Sequence, residues 1–304
     1  MMKKFNEFYA LNESGIQGMK DAVKGYKQAE IYFHMDTDGV TSALAMKEYL
    51  RQYGVKVVDA HIIQYGGLAY AIKHTKSGNL PVMVDFAHSK PWVKLHTDHH
   101  DAQAGVVTKA TSFKHARSNA ETLSAEVSPT DVFTHTDIDL INTVDSADFL
   151  RKGVTPEMVS NSIFKIDPKK GGMENRFLMG FVVNRLLLAY KSKEITGTSL
   201  DGKTQHKDRN FLEALVLDCS PSLYSIYVNM KHYIKNFTSR VWDKSARKYG
   251  VSGLATPEEL SKNLFDYQER MKDYEDLKVD DEYKIAVQYG GGKMFDPGAY
   301  DRYT

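Results

Sequence analysis

Residues 31–43 read IYFHMDTDGVTSA, and the reading of this stretch decides the fold. Ile31-Tyr32-Phe33 is a short apolar run of the kind that forms a buried strand. His34, Asp36 and Asp38 follow on alternate positions, and alternation in an extended segment turns side chains to one side. Gly39 then breaks the strand. Thr41 or Ser42 is suited to cap a helix over 43–52. Three metal-ligand side chains therefore stand at the carboxyl end of a strand, where open α/β sheets place their sites. Closely spaced carboxylates resist joint ionisation unless a positive charge lies between them, and a divalent cation supplies one.

Working outward, other strands and helices alternate with this one. The pattern predicts an amphipathic helix over 15–28, a strand over 55–63 and a helix over 68–76. Further strands are expected over 82–86 and 93–96, then a helix over 118–127. A last β-branched run, 138–144, leads into Asp145. Alternating elements imply βαβ units and an α/β fold with a mostly parallel, doubly wound sheet. Residues 173–193 form an amphipathic helix, 191–207 a polar linker with Gly197 and Gly202, and 208–277 a mostly helical pattern. The expected organisation is a catalytic domain with its connecting helix over 1–190, the linker, and a second, smaller C-terminal domain over 208–304.

Composition narrows the class. The 304 residues are 42% hydrophobic and 26% charged, with a net charge of +1. That is an ordinary globular balance without a global polycation for long nucleic acid. A single cysteine, Cys219, excludes an internal disulfide framework and fits a reducing compartment. The N-terminal MMKKFNEFYALNESG lacks the apolar core of a signal peptide, and no run approaches the roughly 18 apolar residues of a membrane span. The expectation is a cytoplasmic protein without membrane association.

Nine of the eleven histidines precede residue 151. Four clusters of Asp and His stand at predicted strand ends: His34/Asp36/Asp38, Asp85, Asp98/His99/His100, and Asp145. They offer nitrogen and oxygen donors and no sulfur. This inventory suits two cations of the Mn²⁺ or Mg²⁺ type better than structural zinc. Two such ions about 3.5–4 Å apart would clamp the attacking and leaving oxygens of a phosphoryl displacement. His61, His74, His115 and His135 read as surface or core residues, and Trp92 and Trp242 as packing. His88 and His96 read as surface residues or as residues behind the ligands, and Asp101 reads as part of a solvated loop rather than of the site. The tripeptide Gln-Tyr-Gly occurs at 64 and again at 288 and reads as chance.

Taken in order, His34-x-Asp36-x-Asp38-Gly39-x-Thr41-Ser42, Asp85 in VMVDFAHSK, Asp98-His99-His100 and Asp145 in INTVDSADF resemble the four motifs of the DHH phosphoesterase superfamily. That superfamily includes RecJ-like exonucleases, nano-RNases, cyclic-di-AMP phosphodiesterases and family II pyrophosphatases. The resemblance covers residues 31–150. It implies that His34, Asp36 and Asp85 hold a first metal and that Asp38, Asp85, His99 and Asp145 hold a second, with Asp85 bridging. It also implies that Asp98 orients an imidazole and that His100 meets the scissile phosphate.

Ser118 and Asn119 lie where relatives begin a helix near the substrate. Gly290-Gly291-Gly292-Lys293 stands where relatives carry a Gly-Gly-Gly-His loop that grips substrate, and the second half departs from the family pattern. A glycine loop with a Lys can still bind phosphate. The implied activity is a manganese-dependent phosphodiesterase or exonuclease acting on short oligonucleotides or single-stranded nucleic acid, with Mg²⁺ as the other candidate ion. The near-neutral charge favours small or single-stranded substrates. The alternatives are a small-nucleotide phosphatase (3′-phosphoadenosine 5′-phosphate, a cyclic dinucleotide or pyrophosphate) and a non-catalytic RecJ-like binding scaffold. The reading allows a homodimer.

Overall fold

Strand β1, Gln28–His34, splits its side chains between two faces of a sheet. Ala29, Ile31 and Phe33 enter one apolar cluster, and Tyr32 enters another. A strand buried on both faces belongs at the centre of a parallel sheet. β1 lies there, paired in parallel with β2 (Lys56–Ile63) on one side and β3 (Leu80–Val84) on the other. β4 (Leu95–Asp98) and β5 (Thr111–Phe113) continue in parallel beyond β3. The sheet order is β2-β1-β3-β4-β5. The chain reverses its direction of travel between β1 and β3, which is the topological switch point of such a sheet. The computed structural model describes residues 18–64, 76, 78–86, 91–100, 111–113, 116–145, 180, 183–184, 186–187, 190–191 and 193–240. The expected helix over 68–76, except residue 76, and the glycine loop at 290–293 lie outside the described residues, as does all of 241–304, so only 208–240 of the expected C-terminal domain is described.

The α/β class and the parallel sheet match the sequence reading. Several elements differ from it. Helix α1 is Thr37–Gln52, beginning six residues before the expected start. Asp36, not Thr41 or Ser42, is its cap, with Oδ1 accepting from Gly39 N–H at 2.8 Å. Thr41 bonds back to the Thr37 carbonyl and Ser42 to Asp38 instead. Asp38 is thus a helical residue, not the third member of an extended row. Gly39 allows this early start. A Cβ there would meet the His34 carbonyl oxygen and lie 2.7 Å from His34 C and 2.9 Å from its Cα. The usual cost of glycine inside a helix is accepted for the close approach of helix to strand end.

The run 138–144, expected as a strand, lies in helix α3, His135–Asp145. Leu140 and Ile141 enter the main core, and Ile138 and Val144 pack against it at helical spacing. β-Branched content suggested a strand, but burial on one helical stripe decided otherwise. Helix α2, Asn119–Ser124, is shorter than expected and is capped by Ser118. Strand β5 was not anticipated, being only three residues long.

The polar stretch 191–207, expected as a linker, forms most of an antiparallel hairpin, β6 (Glu194–Thr198) and β7 (Gln205–Asn210). Helices α4 (Phe211–Asp218) and α5 (Leu223–Arg240) follow, as the pattern predicted. Phe211, Leu215 and Tyr227 share one core with Ile31, Leu44 and Val82. Lys47 Nζ reaches from α1 to the end of α4 and donates to the carbonyls of Val216, Leu217 and Cys219 at 2.8, 2.6 and 2.9 Å. It satisfies orphan helix carbonyls with a positive charge. Arg209 pairs with Asp59 of β2 at 2.5 Å, and Glu213 accepts from Ile62 N–H. Trp92 packs edge-on against Tyr32 at 4.9 Å, as expected of a packing residue. Among the described residues, no helix is long and apolar enough to cross a membrane.

Gly39→Ala is expected to lower folding stability by at least about 2 kcal/mol, because backbone atoms, not a movable side chain, fill the space a methyl needs. Chemical denaturation of the purified variant measures it; a loss under 0.5 kcal/mol would contradict this account.

Candidate metal centre

The carboxyl ends of β1, β3 and β4 converge at the switch point, and each contributes side chains. His34 ends β1, Asp36 caps α1, and Asp38 lies in its first turn. Asp85 follows β3, and His99 and His100 follow β4. Asp145 is the last residue of α3. Three sets of potential ligand atoms lie within 4.8 Å of one another: His34/Asp36/Asp85, Asp38/His99/Asp145 and Asp85/His99/His100.

Asp85 sits at the middle. Its backbone takes a left-handed conformation, φ 51°, uncommon for a residue with a side chain. A hydrogen bond from its N–H to the Thr97 carbonyl, 3.0 Å, accompanies the turn. His99 Nε2 stands 3.5 Å from Asp85 Oδ1, and His34 Nδ1 stands 4.0 Å from Oδ2. Burial, and then the negative charges of Asp38, Asp36, Asp98 and Asp145, push the Asp85 carboxyl well above the usual carboxylate range. Burial and Asp38 push Asp145 up to about 7.

The imidazoles are held from behind. His99 Nδ1 donates to the Ala116 carbonyl at 3.1 Å. A carbonyl can only accept, so Nδ1 carries a proton and Nε2 is the ring edge that faces Asp38, Asp85 and Asp145 at 3.3, 3.5 and 3.8 Å. His34 Nε2 lies 2.7 Å from Gln64 Oε1, which leaves Nδ1 against Asp36 Oδ2 at 2.5 Å. Burial opposes the charges on this pair. Their mutual attraction outweighs it, raising His34 and holding Asp36 well below the carboxylate range. Asp98 is buried, and its Oδ1 accepts from His99 N–H at 2.8 Å and from His100 Nδ1 at 2.7 Å. The imidazole that it orients is therefore that of His100. Burial again opposes the ion pair, yet Asp98 lifts His100 to about 9.

Asp38 has two duties. Its Oδ2 accepts from Asn119 N–H at 2.7 Å and its Oδ1 from Ala120 N–H at 2.9 Å, so it caps α2 while facing His99. Ser118 and Asn119, expected near substrate, are fully buried and serve this scaffold. Ser118 Oγ caps Glu121 N–H and donates to Asn142 Oδ1 at 2.6 Å, one turn before Asp145. Asn119 Nδ2 donates to Thr97 Oγ1. Both side chains are spent on packing and capping, where the sequence reading had expected substrate contacts. His96 is buried on the other face with Nε2 against the Phe86 carbonyl. His61 stacks on Tyr32 near Glu30 and Asp59, apart from these sets. His74, His88, Asp101 and His115 lie outside the described residues.

The sequence reading missed Gln64, the Ala116 carbonyl and Asn142. Gln64 follows β2 directly, and position at a strand's carboxyl end was the available signal.

A cation fits this donor set. Both Asp85 oxygens and His99 Nε2 are buried without a hydrogen-bond partner. Buried polar atoms are rarely left so, and these three face one another. Oxygen and imidazole donors suit a divalent ion, which also offsets the crowded carboxylates. No protein family, curated protein or solved structure matches the chain.

A pH dependence follows. Folded-state values raised above the unfolded carboxylate range near about 4 mean that folding favours protonated Asp85 and Asp145. Deprotonation then destabilises the fold progressively as pH rises. Without added cation, the thermal midpoint should fall between pH 5 and pH 8. Saturating Mn²⁺ should remove that fall. Parallel melting curves with and without Mn²⁺ check it, and identical slopes would count against cation binding here.

Proposed function

We infer that the chain is a divalent-cation-dependent phosphoesterase of the DHH type, hydrolysing phosphodiester bonds in short oligonucleotides or single-stranded nucleic acid. One observation carries the reading: the unpaired, buried Asp85 carboxylate stands between two ligand sets, His34/Asp36 on one side and His99 with Asp38 and Asp145 on the other. A single carboxylate shared by two sets is the arrangement that two neighbouring cations need.

His34, Asp36 and Asp85 would hold one ion, and Asp38, Asp85, His99 and Asp145 the other. Mn²⁺ is the favoured ion and Mg²⁺ the alternative. Bound cations would supply Lewis acidity toward phosphoryl oxygen and lower the pKa of water. The remaining work belongs to the chain. The Ala116 carbonyl holds Nδ1 of His99 and leaves Nε2 toward the carboxylates, and Gln64 meets Nε2 of His34 from behind. Asp98 keeps His100 protonated at neutral pH, so His100 can donate to a phosphoryl oxygen and stabilise its developing charge. The third ligand set, with His100, is the weaker candidate for an ion, because the His100 nitrogen turned toward Asp85 (3.8 Å) is the one Asp98 holds.

The test is product analysis with Mn²⁺ on 5′-labelled RNA and DNA from two to twenty-five nucleotides, with 3′-phosphoadenosine 5′-phosphate, pyrophosphate and cyclic dinucleotides alongside. Stepwise release of mononucleotides is expected. Release of phosphate from small nucleotides alone would replace the nuclease reading with a phosphatase. Absence of turnover on every substrate by the Mn²⁺-loaded protein would overturn both. His100→Asn should keep Mn²⁺ binding and lose about 10²-fold or more in turnover. Asp145→Asn is the cleaner ligand variant, since Asp38→Ala also removes the cap of α2.

A further inference from the structure

We propose that Asn184 is a positioning residue for the cation centre: through Thr37 it holds the first turn of α1, whose cap and first turn carry the candidate ligands Asp36 and Asp38. This rests on the cation centre of the phosphoesterase reading. Residues 180, 183, 184, 186, 187 and 190 are helical. Val183, Leu186 and Leu187 enter the main core with Leu44 of α1. Asn184 is 5% exposed and Thr37 3%, and Thr37 Oγ1 meets Asn184 Oδ1 at 2.7 Å. A hydroxyl can donate or accept, so the pair is bonded with either atom of the amide turned toward it. The same helical segment meets α3. A Cβ on Gly180 would lie 3.0 Å from Leu140 Cβ, so the two helices approach closely there. α1 and α3 supply Asp38 and Asp145, which form one ligand set with His99.

The peptide units on either side of Thr37 join it to Asp36 and Asp38, with about 3.8 Å between successive Cα atoms. A shift of the Thr37 backbone is therefore a shift of both carboxylates. Such a shift has a driving force. Asp36, Asp38, Asp85 and Asp145 converge on one centre, and like charges repel. That repulsion acts to move the first turn of α1 away from Asp85 and Asp145. Asp36 faces His34, and Asp38 faces His99 and the start of α2. Thr37 turns instead to Asn184 and anchors the turn through a side chain that belongs to no ligand set. Removing one member of the pair leaves the other buried and unbonded, which costs more than the bond itself is worth. The turn relieves that cost by moving, and the candidate ligands move with it.

The test compares the full-length chain with Asn184→Leu, Thr37→Val and Thr37→Ser, each kept well below its thermal midpoint. Leucine and valine fill similar space without a polar group, and serine keeps the hydroxyl. Isothermal titration with Mn²⁺ alone should give an apparent Kd about 10-fold or more weaker for N184L and T37V, and within about three-fold of the unmodified chain for T37S. The double variant T37V/N184L should lose no more than either single variant, because both act through one bond. A packing role alone would lower the thermal midpoints of N184L and T37V while leaving Kd unchanged, and that result overturns the proposal. So would T37S binding as weakly as T37V, or losses that add in the double variant. Should N184L fail to fold, T37V against T37S decides. Mn²⁺ binding without turnover by the unmodified chain removes the phosphoesterase reading and leaves these affinities to decide the role of Asn184. Absence of Mn²⁺ binding by the unmodified chain removes the cation centre and this proposal with it.

Discussion

The crowding of like charge around Asp85 is the constraint on which the centre depends. Asp36, Asp38, Asp98 and Asp145 all raise the cost of ionising Asp85, and burial raises it further. A fold keeps such a cluster only if something else compensates. Part of the compensation is internal. Asp36 is paired with His34, Asp98 with His100, and Asp38 with two helical N–H groups. Both oxygens of the buried Asp85 lack a hydrogen-bond donor, and its backbone lies in the left-handed region.

The centre and the fold are built from the same bonds. Asp36 caps α1 and touches His34; Asp38 caps α2 and faces His99. Ser118 caps α2 and binds Asn142, on the helix that ends in Asp145. Moving any one of these elements therefore moves a candidate ligand. Gly39 completes the arrangement by letting α1 start against the end of β1, which brings Asp36 and Asp38 within reach of β3 and β4.

The later part of the chain supports the sheet from its β2 edge and from α1. Lys47 ties α1 to the carbonyl end of α4. Arg209 and Glu213 meet Asp59 and the backbone of Ile62. Asn184, on a helical turn late in the described chain, accepts from Thr37 Oγ1 at 2.7 Å, beside the residues that face the centre. A polar composition made residues 191–207 resemble a linker, but a two-stranded hairpin exposes alternate residues and so is polar as well.

The sequence by itself determined the α/β class, the parallel sheet and the strand-end positions of His34, Asp85, His99 and His100. Apolar runs of four to eight residues and the turns after them are local signals, legible without knowledge of neighbours. It did not determine that 138–144 is helical, that α1 begins at Thr37, or that Ser118 and Asn119 are buried. Each of these is decided by what packs against the segment: a core stripe along α3, the backbone of His34 under Gly39, and Asp38 over the first turn of α2. The ring orientations of His34 and His99 were likewise beyond the sequence. They depend on contacts with Gln64 and Ala116, thirty and seventeen residues away along the chain, because the parallel register and the turn into α2 bring these groups behind the rings. Local pattern decides which residues can reach a strand end. Only the tertiary contacts decide which atom of each residue faces the centre.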